Sequence, residues 1–248
     1  MLDLVRLTRR ASSLPRELSG GMQQRNALAR ALATNPDVLL LDEPLRALDA
    51  RLRIDLRKEL KSLAKTLSLT VVHVTHDQDE ALVMADRIAV IREGKIVQVG
   101  TPREVFDHPA SPFVANFVGQ SNFFTGTLVS SGSERSEVRD EAGRTVLARP
   151  TDLEVGSKVV VAAKVGHTRL CSLDQCFLRG RVERILFEGR VVHVDVGVEE
   201  LGRFSLKVPA SHRSRVEAGK EVGLDWSMEK ASVFPYPPGG LEAELRVD

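Results

Sequence analysis

The feature that most constrains this chain is a change of periodicity near residue 121. Before it, helical patterns alternate with short apolar runs: "VLLL" at Val38–Leu41, "TVVHV" at Thr70–Val74 and "RIAVI" at Arg87–Ile91. Each run is too short for a helix and rich in Leu or β-branched residues. Their alternation with helices predicts βαβ units around a buried parallel sheet. "REGK" at Arg92–Lys95 reads as a tight turn into a further strand, "IVQV". Beyond residue 121 the helical patterns stop. "GRVERILFEG", "RVVHVDVGV" and "RFSLKVP" alternate apolar and polar residues between Gly, Pro and acidic turns. That pattern predicts a small all-β barrel or sandwich. The expected fold class is therefore α/β followed by all-β. The stretch "GTPREVFDHPASPFVANFVG", with three prolines, reads as the connection, and the tail "YPPGGLEAELRVD" is expected to be loosely packed.

Composition narrows the function classes. At 42% hydrophobic and 28% charged, with 35 basic against 34 acidic residues, the chain has no bulk charge to attract nucleic acid or an anionic membrane. No apolar run approaches the roughly 18 residues of a membrane span. The N-terminal "MLDLVRLTRRASSL" lacks the continuous apolar core of a signal peptide, so export is not expected. Cys171 and Cys176 form a C-x4-C pair without a companion, and His167 does not complete a known metal spacing. Ordinary packing, or partly exposed thiols in a reducing cytosol, is the expectation for them.

The chemistry-bearing stretches come early. In "RELSGGMQQRNALARAL", Arg16–Leu32, a Ser and a Gly pair lead straight into a helical pattern. Backbone N–H groups at such a helix start converge on an anion. No stretch of the form G-x-x-x-x-G-K-[ST] occurs in the 248 residues. In "LLLDEP", Leu39–Pro44, an apolar strand ends in two carboxylates. Phosphoryl-transfer sites use a strand-end acid to hold Mg²⁺, which suits Asp42, and a neighbouring carboxylate to orient water, which suits Glu43. An acid-capped strand-to-loop turn is the alternative. His76 follows the run "TVVHV" at a strand end, where a neutral imidazole can donate to a phosphate oxygen or to water. His73 faces the opposite side of the strand and reads as sheet-packed. Asp77 and Asp49 each read, taken alone, as N-caps. Asp49 precedes a helical pattern with Leu52, Leu56, Leu60 and Leu63 on one stripe.

Together, "LSGGMQ", "LLLDEP", "ALD" and a strand-end His within sixty residues strongly resemble the ATP-binding subunit of ABC importers. The resemblance covers the first 121 residues closely. It implies a signature motif at Leu18–Gln23, with Leu18, Ser19, Gly20, Gly21 and Gln23 gripping a nucleotide held by a second subunit. It further implies Asp42 as the acid that holds Mg²⁺, directly or through water, Glu43 as the catalytic Glu, Asp49 as the D-loop Asp and His76 as the switch His. The remainder, through "ARPTDLEV" and "GRVERILFEGRVVHVDV", is similar to the TOBE regulatory domain, of oligonucleotide-fold type, found in importer ATPases. The implied division is 1–121 as a partial ATPase domain, 122–237 as the regulatory domain and 238–248 as a tail.

The family's ATP- and Mg²⁺-dependent reaction takes place in a head-to-tail dimer bound to a membrane permease, on the cytoplasmic face. A small ligand at the C-terminal domain belongs to the same picture. Its phosphate loop should precede the signature motif. The chain is therefore expected to be an N-terminally truncated piece that is inactive alone and leaves apolar sheet surface exposed. Two residues depart from the family pattern. Asn26 falls on the stripe Met22–Asn26–Ala29–Ala33, where a buried unpaired amide would cost about 1–3 kcal/mol. Arg46 stands where a small residue is usual, and a long cation there is expected either to clash at the tight subunit interface or to pair with a phosphate. Three other readings stand beside the importer subunit: a non-enzymatic remnant or regulatory module, a DNA-repair or chromosome-maintenance ATPase, and a nucleic-acid role for the β-domain. The absence of sustained heptads weighs against the second, and the near balance of charge and the few aromatics weigh against the third. The sequence does not fix the cargo: the β-domain pattern is compatible with polyamine, sulfate, molybdate, sugar or iron systems, with a lean to a polyamine or an inorganic anion.

Overall fold

A computed structural model describes residues 1–46 and 48–246. Ala47, within the "ALD" stretch, and the last two residues of the tail lie outside the described residues. The chain divides into two compact units, the first Met1–Ile88 and the second from Ala89 onward.

In the first unit, helices α1 (Gly20–Ala33), α2 (Ala50–Thr66) and α3 (Gln78–Met84) accompany strands β1 (Val38–Asp42) and β2 (Thr70–Val74). Each helix starts where a side-chain oxygen can accept a backbone N–H three residues on: Ser19 from Met22, Asp49 from Leu52, Asp77 from Glu80. β1 and β2 pair in parallel, Val38 opposite Thr70 through Asp42 opposite Val74, with α2 as the crossover. Leu39 and Leu41 pack with Leu28 and Leu32 of α1 and Leu56 and Leu60 of α2.

The sheet is not buried on both faces. Val38, Leu40, Val72 and Val74 are 54%, 73%, 52% and 55% exposed. Side chains alternate across a strand, so packing the helical stripes on the Leu39/Leu41 face leaves the opposite apolar set in water. "RIAVI" also departs from expectation. Its strand β3 (Ile88–Arg92) joins β4 (Lys95–Gly100) in a separate two-stranded sheet. The turn between them is Glu93–Gly94, with φ of 49° and 71°, the pair of left-handed residues that matches strand twist.

The second unit continues through α4 (Pro102–Asp107) and α5 (Pro112–Phe117). Strands follow as β5 (Ser121–Ser131), β6 (Ser136–Arg139), β7 (Thr145–Ala148), β8 (Lys158–Lys164) and β9 (Thr168–Cys171). The last five are β10 (Leu178–Glu188), β11 (Val191–Val198), β12 (Gly202–Pro209), β13 (Glu221–Trp226) and β14 (Ala231–Pro235). They form two five-stranded sheets, ordered β14-β8-β5-β6-β7 and β12-β11-β10-β13-β9. Alternation along β11 buries Val192, Val194, Val196 and Val198, which meet Phe124, Leu128, Phe204, Leu206 and Trp226 in one core.

The tail is held rather than loose. It forms α6 (Leu241–Glu244), and Glu244 Oε2 accepts from Arg92 Nη1 at 2.9 Å. Arg92 Nη2 also donates to the Ala243 carbonyl, and its guanidinium lies 4.4 Å from the centre of the Phe113 ring. One cation thus joins the start of this unit to its end.

Lys164 ends β8 in a buried position, and its ammonium donates to the carbonyls of Ala115 (2.6 Å) and Val118 at the end of α5. Burial pushes it down from 10.5 to about 8, with Asp107 opposing. Between those values the unfolded chain holds a proton that the folded chain has released. Stability of this unit is therefore expected to rise with pH from about 8 to about 10.5, by at most ~3 kcal/mol. Urea unfolding followed by the fluorescence of Trp226, the chain's only Trp, reads this directly. Lys164→Met should flatten the rise.

Candidate functional site

Of the sequence-identified residues, Asp42, Glu43 and His76 stand at the C-terminal ends of β1 and β2. Asp42 is the last residue of β1 and its residue is exposed to solvent. Glu43 follows at φ 44°, in the left-handed region, an uncommon backbone for a non-glycine residue. Two contacts hold it there: its N–H donates to the Val74 carbonyl at 2.9 Å, and Gln24 Nε2 donates to its carbonyl at 2.8 Å. The kink aims the Glu43 carboxylate across to the end of β2. There His76 Nε2 lies 2.5 Å from Oε1, and Arg46 Nη1 lies 2.7 Å from Oε2. Both carboxylate oxygens are engaged, while Arg46 and His76 are themselves exposed, so these contacts position more than they stabilise.

Within the described chain Arg46 pairs with Glu43. Asn26 is half-buried, and its amide is not among the buried polar atoms left without a partner, so the expected penalty is not incurred. The sequence reading missed Gln24, and it missed Glu43 as the partner of Arg46. Gln24 lies nineteen residues before the group it holds, and nothing in local spacing links the two.

Ser19 caps α1, and Gln23 Nε2 donates to the carbonyls of Pro15 (3.1 Å) and Leu18 (3.2 Å), which shapes the entry to the helix. A Cβ built on Gly20 would meet nothing within 4 Å, and its backbone is not left-handed. The described chain makes no demand for glycine at 20, so the open space there faces outward. Asp49 caps α2 at 3.0 Å from Leu52 N. His73 points away from this site: its Nε2 lies 2.7 Å from Glu80 Oε1 on the opposite side of β2. Asp77 Oδ2 lies 2.5 Å from Arg57 Nη2 and 3.6 Å from Arg53 Nη1. That second cluster secures α2 to α3.

Asp42, exposed at the end of β1, offers a hard oxygen donor of the kind Mg²⁺ takes alongside water and phosphate. When bound, the ion would neutralise charge on phosphate oxygens.

Residues 1–46 match the family described as ABC transporter, and residues 146–234 match the TOBE domain. The chain thus carries an ABC ATPase segment of α/β type, followed by an all-β domain of TOBE, oligonucleotide-fold-like type. Similar proteins include the spermidine/putrescine import ATP-binding protein PotA of Ruegeria pomeroyi. The two are 40% identical over 236 residues, covering 94% of this chain and 64% of that protein. PotA of Mesorhizobium japonicum is 41% identical over 237 residues, covering 94% and 65%. The chain thus spans just under two thirds of the length of the curated relatives it matches. A solved dimeric ATP-binding cassette in a post-hydrolysis state, bound to ADP and Pi, is 40% identical over 41% of this chain and 44% of that one, with a TM-score of 0.39.

Proposed function

We propose that the chain serves as an ATP-binding subunit that energises a membrane importer, with a polyamine as the cargo. Residues 1–121 are the ATPase part and 122–237 the regulatory part. The observation that carries this reading is Glu43, held in a strained backbone at the meeting of two parallel strands with His76 and Arg46 on its carboxylate. Glu43 acts as the base that orients and deprotonates the attacking water. His76 donates to anionic oxygen that develops beside it, and Asp42 is the residue that would hold Mg²⁺. Ser19, Gly20 and Gly21, with Leu18 and Gln23 shaping the turn, offer an N–H grip to a nucleotide held by a second, head-to-tail subunit, and Asp49 sits at that same interface. The open approach over Gly20 supports the in-trans assignment. A permease partner and a place on the cytoplasmic face of the membrane follow from the importer role. Among the described residues no helix is long and apolar enough to cross a membrane.

Steady-state ATP hydrolysis by the chain, joined to a segment that carries a G-x-x-x-x-G-K-[ST] loop and assembled with its permease in liposomes, tests the reading. Glu43→Gln should lower kcat about 10²–10⁴-fold while ATP binding persists. An unchanged kcat overturns the role of Glu43. Loss-free assembly with neither ATP binding nor hydrolysis favours the second reading, a non-enzymatic regulatory module, which the self-contained core of the β-domain supports.

A further inference from the structure

We propose that Cys171 and Cys176 form a reversible intramolecular disulfide that locks a crossover connection of the β-domain. β9 and β10 are consecutive in the chain, yet β13 lies between them in the sheet. Residues 172–177 must therefore cross β13 to reach its far side. Cys171 ends β9 opposite Gly223 of β13. Cys176 stands at the other end of the crossing, just before Phe177, whose N–H donates to the Leu224 carbonyl at 3.0 Å. The two cysteines converge over Gly223. The place where a Cβ on that glycine would stand is 2.8 Å from Cys176 Cβ and 3.1 Å from Cys171 Sγ. It is also 2.9 Å from the Cys171 carbonyl oxygen, so any side chain there would evict one cysteine or the other. Cys176 Sγ donates to the Leu173 carbonyl at 3.2 Å, which keeps the thiol on the crossing. Both cysteines are free and half-buried, open to small oxidants.

The environments of the two thiols divide the work. Burial, and then the charge of Cys176, push Cys171 up to about 12, so it is a poor first nucleophile. Cys176 meets the oxidant, here a hydroperoxide. Its thiolate attacks one peroxide oxygen, the O–O bond breaks, and Cys176 becomes a sulfenic acid. The Cys171 sulfur then attacks the Cys176 sulfur; the S–S bond forms, the S–O bond breaks, and water leaves with the Cys171 proton. Two thiols lose two electrons, and hydrogen peroxide is reduced to two waters. A dithiol reverses the step.

The test equilibrates the full chain in glutathione redox buffers, folded and in urea, with acid quench and alkylation. Trypsin releases Leu170–Arg179, which carries both cysteines of the chain, so the disulfide reads as a peptide lighter by two hydrogens and resistant to alkylation. In the folded chain the peptide should become oxidised at an oxidant-to-thiol ratio about tenfold lower than in urea, because the crossing presents the thiols to each other. Oxidation should also change the emission of Trp226, whose ring lies edge-on to Phe177 at 5.3 Å. Cys171→Ser and Cys176→Ser should each give only a mixed glutathione adduct. Equal ratios in folded and unfolded chain, or adducts on both cysteines of the native protein without the cyclic peptide, would overturn the proposal.

Discussion

Glu80→Ala is expected to destabilise the first unit by about 3–5 kcal/mol, the cost typical of breaking a buried ion cluster from one side. Glu80 is 3% exposed although it lies in the first turn of α3. Thr75 Oγ1 donates to its Oε2 at 3.3 Å, and Arg57 Nη2 lies 3.8 Å from the same oxygen. His73 Nε2 is 2.7 Å from Oε1 but is out of line for a hydrogen bond, so that contact is electrostatic rather than directional. Truncation leaves the largely buried Arg57 with Asp77 alone and removes the anion beside His73. Urea unfolding followed by far-UV ellipticity isolates this effect, because the long helices belong to the first unit. Glu80→Gln keeps the shape and the Thr75 bond, so its loss should be about 1–3 kcal/mol. A loss below about 1 kcal/mol for the alanine variant would mean that Asp77 by itself satisfies Arg57.

Trp226→Ala should cost the second unit about 3–5 kcal/mol, as large-to-small changes of buried aromatics do. Trp226 closes β13 and is 2% exposed, between the two sheets. Its indole N–H donates to the Leu147 carbonyl of β7 at 3.0 Å, so one side chain ties the opposite sheet by packing and by polarity together. Alanine opens a cavity and leaves that carbonyl without its donor. Trp226→Phe fills most of the volume but restores no donor, and about 1–3 kcal/mol should be lost. Calorimetry is the suitable measurement, since the substitution removes the fluorophore. Equal stabilities for Trp226→Ala and Trp226→Phe would sink the idea that packing at this position sets the cost.

Local spacing made much of this molecule legible. Asp49 and Asp77 could be recognised as N-caps because a cap and the N–H that it accepts are three residues apart. The Glu93–Gly94 turn and the β11 alternation are equally local, since strand period and turn conformation belong to neighbouring residues. The stripe through α1 was less well placed: Leu28, Ala29 and Leu32 are buried, whereas Ala33 is exposed. Which side of a helix is buried depends on what packs against it.

The sequence by itself determined the strands and helices of the first unit, the switch from α/β to all-β, and which carboxylates and imidazole stand at strand ends. Hydrogen-bond reach along a few residues is enough for each of these. Only the tertiary structure decided that Gln24, Arg46 and His76 converge on Glu43, and that the Leu40 face of the sheet is bare. It alone joined Arg92 to Glu244 and carried two cysteines across β13 onto one glycine. Those outcomes depend on the path of the chain through space, on which groups separated by tens of residues are brought within a few ångströms, and that distance is not encoded in spacing.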